Sequence, residues 1–160
     1  LAEPDRWGEE PIREGIRRSV RRLTEYGAKR DFEIVAENMK DLVDAEDLPA
    51  LLDEAHSHAR MCLDTGHAYV TGIDGREQAT LLREYGDRIS HVHLNDTRIG
   101  HDDEHLPVGL GRVTFDPLAE AMAEIGWTGT CTHEVETFDY SQVSQGKERF
   151  DELLNAARGD

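Results

Sequence analysis

The chain has 160 residues, enough for one buried core but short of the roughly 250 that a complete eight-fold (β/α) barrel needs. Its net charge is −16, and Lys29, Lys40 and Lys147 are its only lysines, so the remaining positive charge is arginine. That balance repels a phosphate backbone and makes nucleic acid a disfavoured partner, although a protein working in concentrated salt, where screening is nearly complete, carries the same acidic composition.

No segment approaches the roughly 20 apolar residues of a membrane helix, and residues 1–10 have no basic stretch followed by an apolar one. A cytoplasmic protein is expected. Cys62 and Cys131 lie in apolar runs, where a thiol acts as a small hydrophobe, and no disulfide is expected between them.

In chain order, Ile12, Ile16, Val20 and Leu23 repeat on one helical face behind Pro11. Residues 32–37 then read as a strand. Leu48, Leu51, Leu52 and Ala55 return to helical spacing behind Pro49, and residues 61–63 form a short apolar strand ending at Asp64. Leu81, Leu82 and Tyr85 mark a helix closed by Gly86, followed by a strand over residues 89–94 and a long loop over 97–112. Asp116 reads as the cap of the next helix, with Pro117 at its first position, Leu118, Met122 and Ile125 on one face, and Gly126 at its end. Residues 128–135 form the fourth strand, and Phe150, Leu153, Leu154 and Ala157 line the last helix.

Four strands alternating with helices imply right-handed crossovers and a parallel sheet. A doubly wound open sheet shares this alternation but usually carries a glycine-rich phosphate loop after a strand, and none is visible. The expected fold is therefore α/β, a partial (β/α) TIM barrel of about the C-terminal four βα units. It would be a single domain over residues 1–160 with its N-terminal strands missing.

In such a barrel the active site is built where strands run out into the following loops. Each strand here ends in polar candidates: Glu37 and Asn38, Asp64 with His67 one helical turn on, His93 followed by Asn95 and Asp96, and Glu134 with Glu136. Glu37, Asp64 and His93 stand 27 and 29 positions apart, the length of one βα unit, which would place them side by side. Strand parity sends Glu37, Asp64 and His93 to one face and Ile34, Ala36, Met61, Leu63, Val92 and Leu94 to the other. On the fourth strand, an inward Glu134 turns Cys131, His133 and Val135 toward the helices, and parity does not separate Glu134 from Glu136.

Clustered carboxylates repel unless a cation sits among them. Oxygen ligands with one imidazole suit Mn²⁺, Mg²⁺ or Co²⁺, and added histidines shift the preference toward Zn²⁺. Asp103 and His105 form a D-x-H pair in the long loop that would complete a second metal site or orient substrate. Each feature also has a plainer reading. A lone carboxylate at a strand end is usually solvated, His67 can serve its own helix terminus, and Asp103 and His105 lie in an acidic loop. His56, His58 and His101 read as solvent-facing.

Four segments carry a resemblance: CLDTGHA (62–68), HVHLNDT (91–97), DEHLPVGLGRVTF (103–115) and GWTGTCTHEVE (126–136). Together they resemble the xylose isomerase-like barrel superfamily, which holds sugar and sugar-phosphate isomerases and epimerases, inosose dehydratases and apurinic endonucleases of the endonuclease IV type. The resemblance runs from Glu10 onward. It implies Glu37 in AEN, Asp64 in LDTGH, His93 in VHLND and Glu134 in GWTGTCTHE as metal ligands, and His67 as a contact to substrate or a second metal.

In the isomerase and epimerase branch it implies one divalent ion on vicinal sugar oxygens. Glu37 and Glu134 would flank the carbon that loses and regains a proton, the isomerisation running by enediolate proton transfer or hydride shift. In the endonuclease branch Asp103 and His105 would join a three-zinc phosphodiesterase site. That branch calls for two further histidines from earlier strands, and Met39, Lys40 and Asp41 stand where a glycine-rich continuation is expected. The sugar isomerase or epimerase is the favoured reading, with zinc phosphodiesterase on abasic DNA and a non-catalytic half-barrel as alternatives. Four strands leave two open edges, so a homodimer or the missing N-terminal half is the expected partner, besides a small-molecule sugar.

Overall fold

The computed structural model describes residues 9–40, 42–100 and 102–159, so His101 and most of the N-terminal stretch discussed above lie outside the described residues. The elements are α1 (Glu9–Ala28), β1 (Val35–Glu37), α2 (Leu48–Ala55), β2 (Arg60–Asp64), α3 (Thr65–Val70), α4 (Gly75–Tyr85), β3 (Ile89–Leu94), α5 (Asp116–Glu124), β4 (Thr130–His133) and α6 (Ser141–Arg158). The four strands form one sheet in chain order, and all three pairings are parallel. The fold is α/β, part of a (β/α) barrel. No described helix is long and apolar enough to cross a membrane.

The two faces of the sheet differ as parity requires. Met61, Leu63, Val92 and Leu94 point toward the helices and are fully buried. They meet Leu81 and Leu82 of α4 and Leu118, Ala121 and Met122 of α5 in one core cluster. Each such large side chain removed from water contributes about 1.5–3 kcal/mol. Helix α4 packs on α5, α5 on α6, and α1 on α2. The opposite face carries Glu37, Asp64, His91, His93, Thr130 and Thr132.

Several local expectations change in three dimensions. Strands β1 and β4 are shorter than the patterns over 32–37 and 128–135, because each lies at a sheet edge with a ladder partner on one side only. The buried face of α1 continues through Val20 to Thr24, leaving Leu23 half-exposed. Asp116 is the first residue of α5 rather than its cap; Phe115 precedes the helix and no side chain caps it. Gly86 ends α4 without a left-handed turn, with φ −59°. It is small for a different reason: a Cβ there would lie 2.5 Å from Ile125 Cδ1 and 2.6 Å from the Leu82 carbonyl oxygen.

Both thiols are free, but Cys131 is exposed on edge strand β4, not held in a core. Cys62, on the inner face of the sheet, is only 4% exposed, as its apolar run leads one to expect. It pairs in register with Glu37 on one side and His91 on the other.

His133 does turn toward the helix layer, its ring 6.4 Å from that of Phe150 on α6. Its Nδ1 is buried without a hydrogen-bond partner. Burial pushes the imidazole below its ordinary value; Asp151 opposes that shift and Lys147 adds to it. A depressed histidine contributes stability that is present above its ordinary value and lost as pH falls through the lowered one. His133→Leu is therefore expected to flatten the loss of stability on the acid side of pH 6.5, measured as melting temperature against pH. An unchanged acid limb would rule His133 out as its source.

Candidate metal centre

The carboxyl ends of the strands hold two groups of side chains. Glu37, Asp64, His93 and Glu134 place one ligand atom each within 4.8 Å of one another, and so do His67, Asp103 and His105. The first group is assembled by register: Asp64 lies opposite His93 in the β2–β3 ladder, and Glu37 ends β1. Glu134 follows β4 directly. His93 Nδ1 lies 3.2 Å from Glu37 Oε1, 2.7 Å from Glu134 Oε2 and 3.8 Å from Asp64 Oδ2.

Asp64 is the hub. Its side chain is fully buried and caps α3, Oδ1 accepting from the His67 amide at 2.7 Å while Oδ2 accepts from Asn95 Nδ2 at 2.7 Å. Burial pushes this carboxyl up to about 6; the nearby Glu37 and Glu134 charges add to the rise, and His67 opposes it. Beneath it, burial and then the Glu37 and Asp64 charges push the Cys62 thiol up to about 12, so it stays a neutral thiol.

The second group comes from α3 and the β3–α5 loop. His67 Nδ1 faces the Asn38 carbonyl oxygen at 2.9 Å and its Nε2 faces Asp103 Oδ2 at 2.9 Å. His105 repeats the pattern, with Nδ1 3.3 Å from the Glu134 carbonyl oxygen and Nε2 3.1 Å from the same Asp103 Oδ2. Its backbone is left-handed, φ 46°, a conformation that costs a residue with a Cβ about 1–2 kcal/mol. Burial lowers the His105 pKa, but Asp103, Glu134 and Asp64 outweigh it and the net direction is up.

This donor balance suits a cation. With Nδ1–H on a carbonyl, each histidine presents the lone pair of Nε2 to an acceptor, the tautomer that second-layer hydrogen bonds impose on metal-binding imidazoles. Asp103 Oδ1 and Glu134 Oε2 are buried without a hydrogen-bond partner, although the latter lies 2.7 Å from His93 Nδ1. Carboxylate oxygens and imidazole nitrogens in such sets are ligands for a divalent ion.

Seven sequence candidates, Glu37, Asp64, His67, His93, Asp103, His105 and Glu134, are thus brought into two adjoining groups. Glu136 is exposed and stands outside them, its backbone amide donating to the His105 carbonyl at 2.9 Å. Asn38, Asn95 and Asp96, also candidates at strand ends, are turned to other work. Asn38 pairs its side chain with the Asp64 backbone, at 2.8 and 3.1 Å. Thr65 was missed altogether: its hydroxyl donates to the Asn95 carbonyl at 2.7 Å and fixes the strand end behind His93. Its neighbour Gly66 is the only clue, since a Cβ there would lie 1.8 Å from Asn95 Oδ1.

Comparison with known proteins bears on the assignment. The family model described as xylose isomerase-like TIM barrel matches residues 2–158. The chain belongs to that family. Among curated members, the inosose dehydratase of Geobacillus kaustophilus (strain HTA426) is 27% identical over 170 aligned positions, covering 91% of this chain and 53% of the relative. The probable endonuclease 4 of Methanosphaera stadtmanae (strain ATCC 43021 / DSM 3091 / JCM 11832 / MCB-3) is 26% identical over 120, covering 69% and 41%. A solved D-tagatose 3-epimerase-like protein superposes with a TM-score of 0.82 at 26% identity, over 98% of this chain and 60% of its own. The chain therefore spans about half the length of these xylose isomerase-like relatives.

Proposed function

We propose that this chain supplies the metal-binding half of the active site of a sugar or sugar-phosphate isomerase or epimerase. The observation that carries the reading is the convergence of Glu37, Asp64, His93 and Glu134 at one mouth of the sheet. Those four residues would hold Mn²⁺, Mg²⁺ or Co²⁺. A bound divalent ion lowers the cost of negative charge on vicinal sugar oxygens. Glu37 and Glu134 reach His93 from the two outer strands, so a sugar carbon held between them has a carboxylate on either side to take and return its proton. His67 orients a substrate hydroxyl beside them. The open edges at β1 and β4 are closed by further βα units, in line with the shorter span of this chain, or by a second copy.

A second reading is favoured by one observation, the His67, Asp103 and His105 group. Two imidazoles and a carboxylate prefer Zn²⁺, and two adjoining ions suit phosphodiester hydrolysis. The acidic composition weighs against abasic DNA as substrate.

The two readings part in one experiment. The complete parent barrel is incubated with ketoses and Mn²⁺ in deuterated water, and sugars are analysed for carbon-bound deuterium and for epimeric or isomeric products. Exchange or product formation that falls by about 10²- to 10⁴-fold in Glu134→Gln supports the isomerase reading. A hydride shift yields product without deuterium. Cleavage of an abasic duplex with no sugar turnover refutes the first reading in favour of the second.

A further inference from the structure

We infer that Asp96 is a positioning residue, one that presets the β3–α5 loop so that Asp103 and His105 meet His67. The inference rests on the second reading above, in which these three residues hold an ion beside the one held by Glu37, Asp64, His93 and Glu134. Asp96 is fully buried and touches none of them through its side chain. Its carboxylate instead accepts four backbone amides: Oδ1 from Thr97 and Val113, each at 2.9 Å, and Oδ2 from Gly109 at 2.9 Å and Gly111 at 2.8 Å. A carboxylate accepts this many N–H donors only when the backbone has been folded around it.

The backbone of Asp96 closes the same loop from the other side. Its amide donates to the Leu106 carbonyl and its carbonyl accepts from the Leu106 amide, both at 2.8 Å. Leu106 follows His105 directly, so the loop segment bearing Asp103 and His105 is pinned at residues 96 and 106 and then tied down again over 109–113. This clamp is what keeps His105 in its left-handed conformation, together with the bond from the Glu136 amide. Gly111 belongs to the same device: a Cβ there would lie 2.3 Å from Asp96 Oδ1 and 2.5 Å from the Thr97 carbonyl oxygen, so no larger residue fits without displacing the carboxylate.

Asp96→Asn is the discriminating change because it conserves volume while replacing one acceptor oxygen by a donor aimed at amide donors. Gly111→Ala disturbs the same carboxylate from the other side. Zn²⁺ is titrated calorimetrically into the wild-type chain, these two variants and His105→Ala, with circular dichroism to establish that each is folded. Wild type is expected to take two ions and His105→Ala one. Asp96→Asn and Gly111→Ala are expected to keep the first ion within about threefold and to weaken the second by about 10- to 100-fold, the range for residues that orient ligands. Wild-type binding of both ions in the two variants overturns the inference, and so does loss of both ions together with the folded signal, which would make Asp96 a general folding residue.

If wild type and His105→Ala bind alike, the metal reading of that group fails and Asp96 is judged by hydrogen exchange. Faster exchange confined to the amides of the loop in Asp96→Asn supports the inference, and unchanged exchange overturns it.

Discussion

Asp64→Ala is expected to abolish Mn²⁺ binding in calorimetry, weakening it by at least about 100-fold, beyond the effect of losing a residue that merely orients a ligand. Asp64 is the fully buried member of its group, and its two oxygens are already fixed by the His67 amide and Asn95 Nδ2. Unchanged affinity would remove the four-residue group from the account. Asp64→Asn has a second expected effect, on stability without metal. The raised carboxyl, at about 6 against an ordinary 3.8, contributes stability that is fully present below 3.8 and lost as pH rises through 6. At pH 8 the buried charge then costs the metal-free wild type on the order of 3 kcal/mol. The neutral variant escapes that cost but turns an amide donor toward the donors that Asp64 accepts from, so its melting temperature relative to the metal-free wild type should rise from pH 4 to pH 8. A gap that does not change with pH would show that Asp64 is not held in this charged, desolvated state.

Gly66→Ala should destabilise the protein by about 1–3 kcal/mol, measured by denaturant unfolding. Helix propensity argues the other way, since alanine inside a helix is favoured over glycine by about 1 kcal/mol. Sterics decide the sign. The new methyl would lie 1.8 Å from Asn95 Oδ1, at a position buried in α3. Asn95 would have to leave Asp64 Oδ2, so metal affinity should fall in step with stability. A neutral or stabilising result would mean that Asn95 moves aside freely and does not hold Asp64.

How much of this was legible in the sequence varies from residue to residue. The spacing of Glu37, Asp64 and His93 by one βα unit, with apolar neighbours at odd offsets, was sufficient to place them together, because parallel βα repeats bring equivalent strand ends side by side. Glu134 and Glu136 share parity, so periodicity could not choose between them. The chain turns after β4, the Glu136 amide donating to the His105 carbonyl, and the Glu134 side chain is the one that lies beside His93. Asn38, Asn95 and Asp96 look like ligands in the sequence because their side chains carry the right atoms. Their acceptors and donors lie on other strands and loops, 13 to 31 positions away where the side-chain partner is distant in the chain, and no local pattern encodes such bonds.

The chain by itself determined the alternation of strands and helices, the parallel order of the sheet, the sorting of apolar and polar side chains to opposite faces, and, but for the choice between Glu134 and Glu136, the seven side chains gathered at one end. Each of these follows from periods of two and 3.6 residues and from the length of a repeating unit, which are properties of short stretches of backbone. Tertiary structure decided where edge strands stop, which glutamate joins His93, why Gly86 and Gly66 must be small, and how the loop is folded on Asp96. Those depend on which atoms approach from elsewhere in the chain. Close packing and hydrogen-bond satisfaction, unlike periodicity, are set only once distant segments meet.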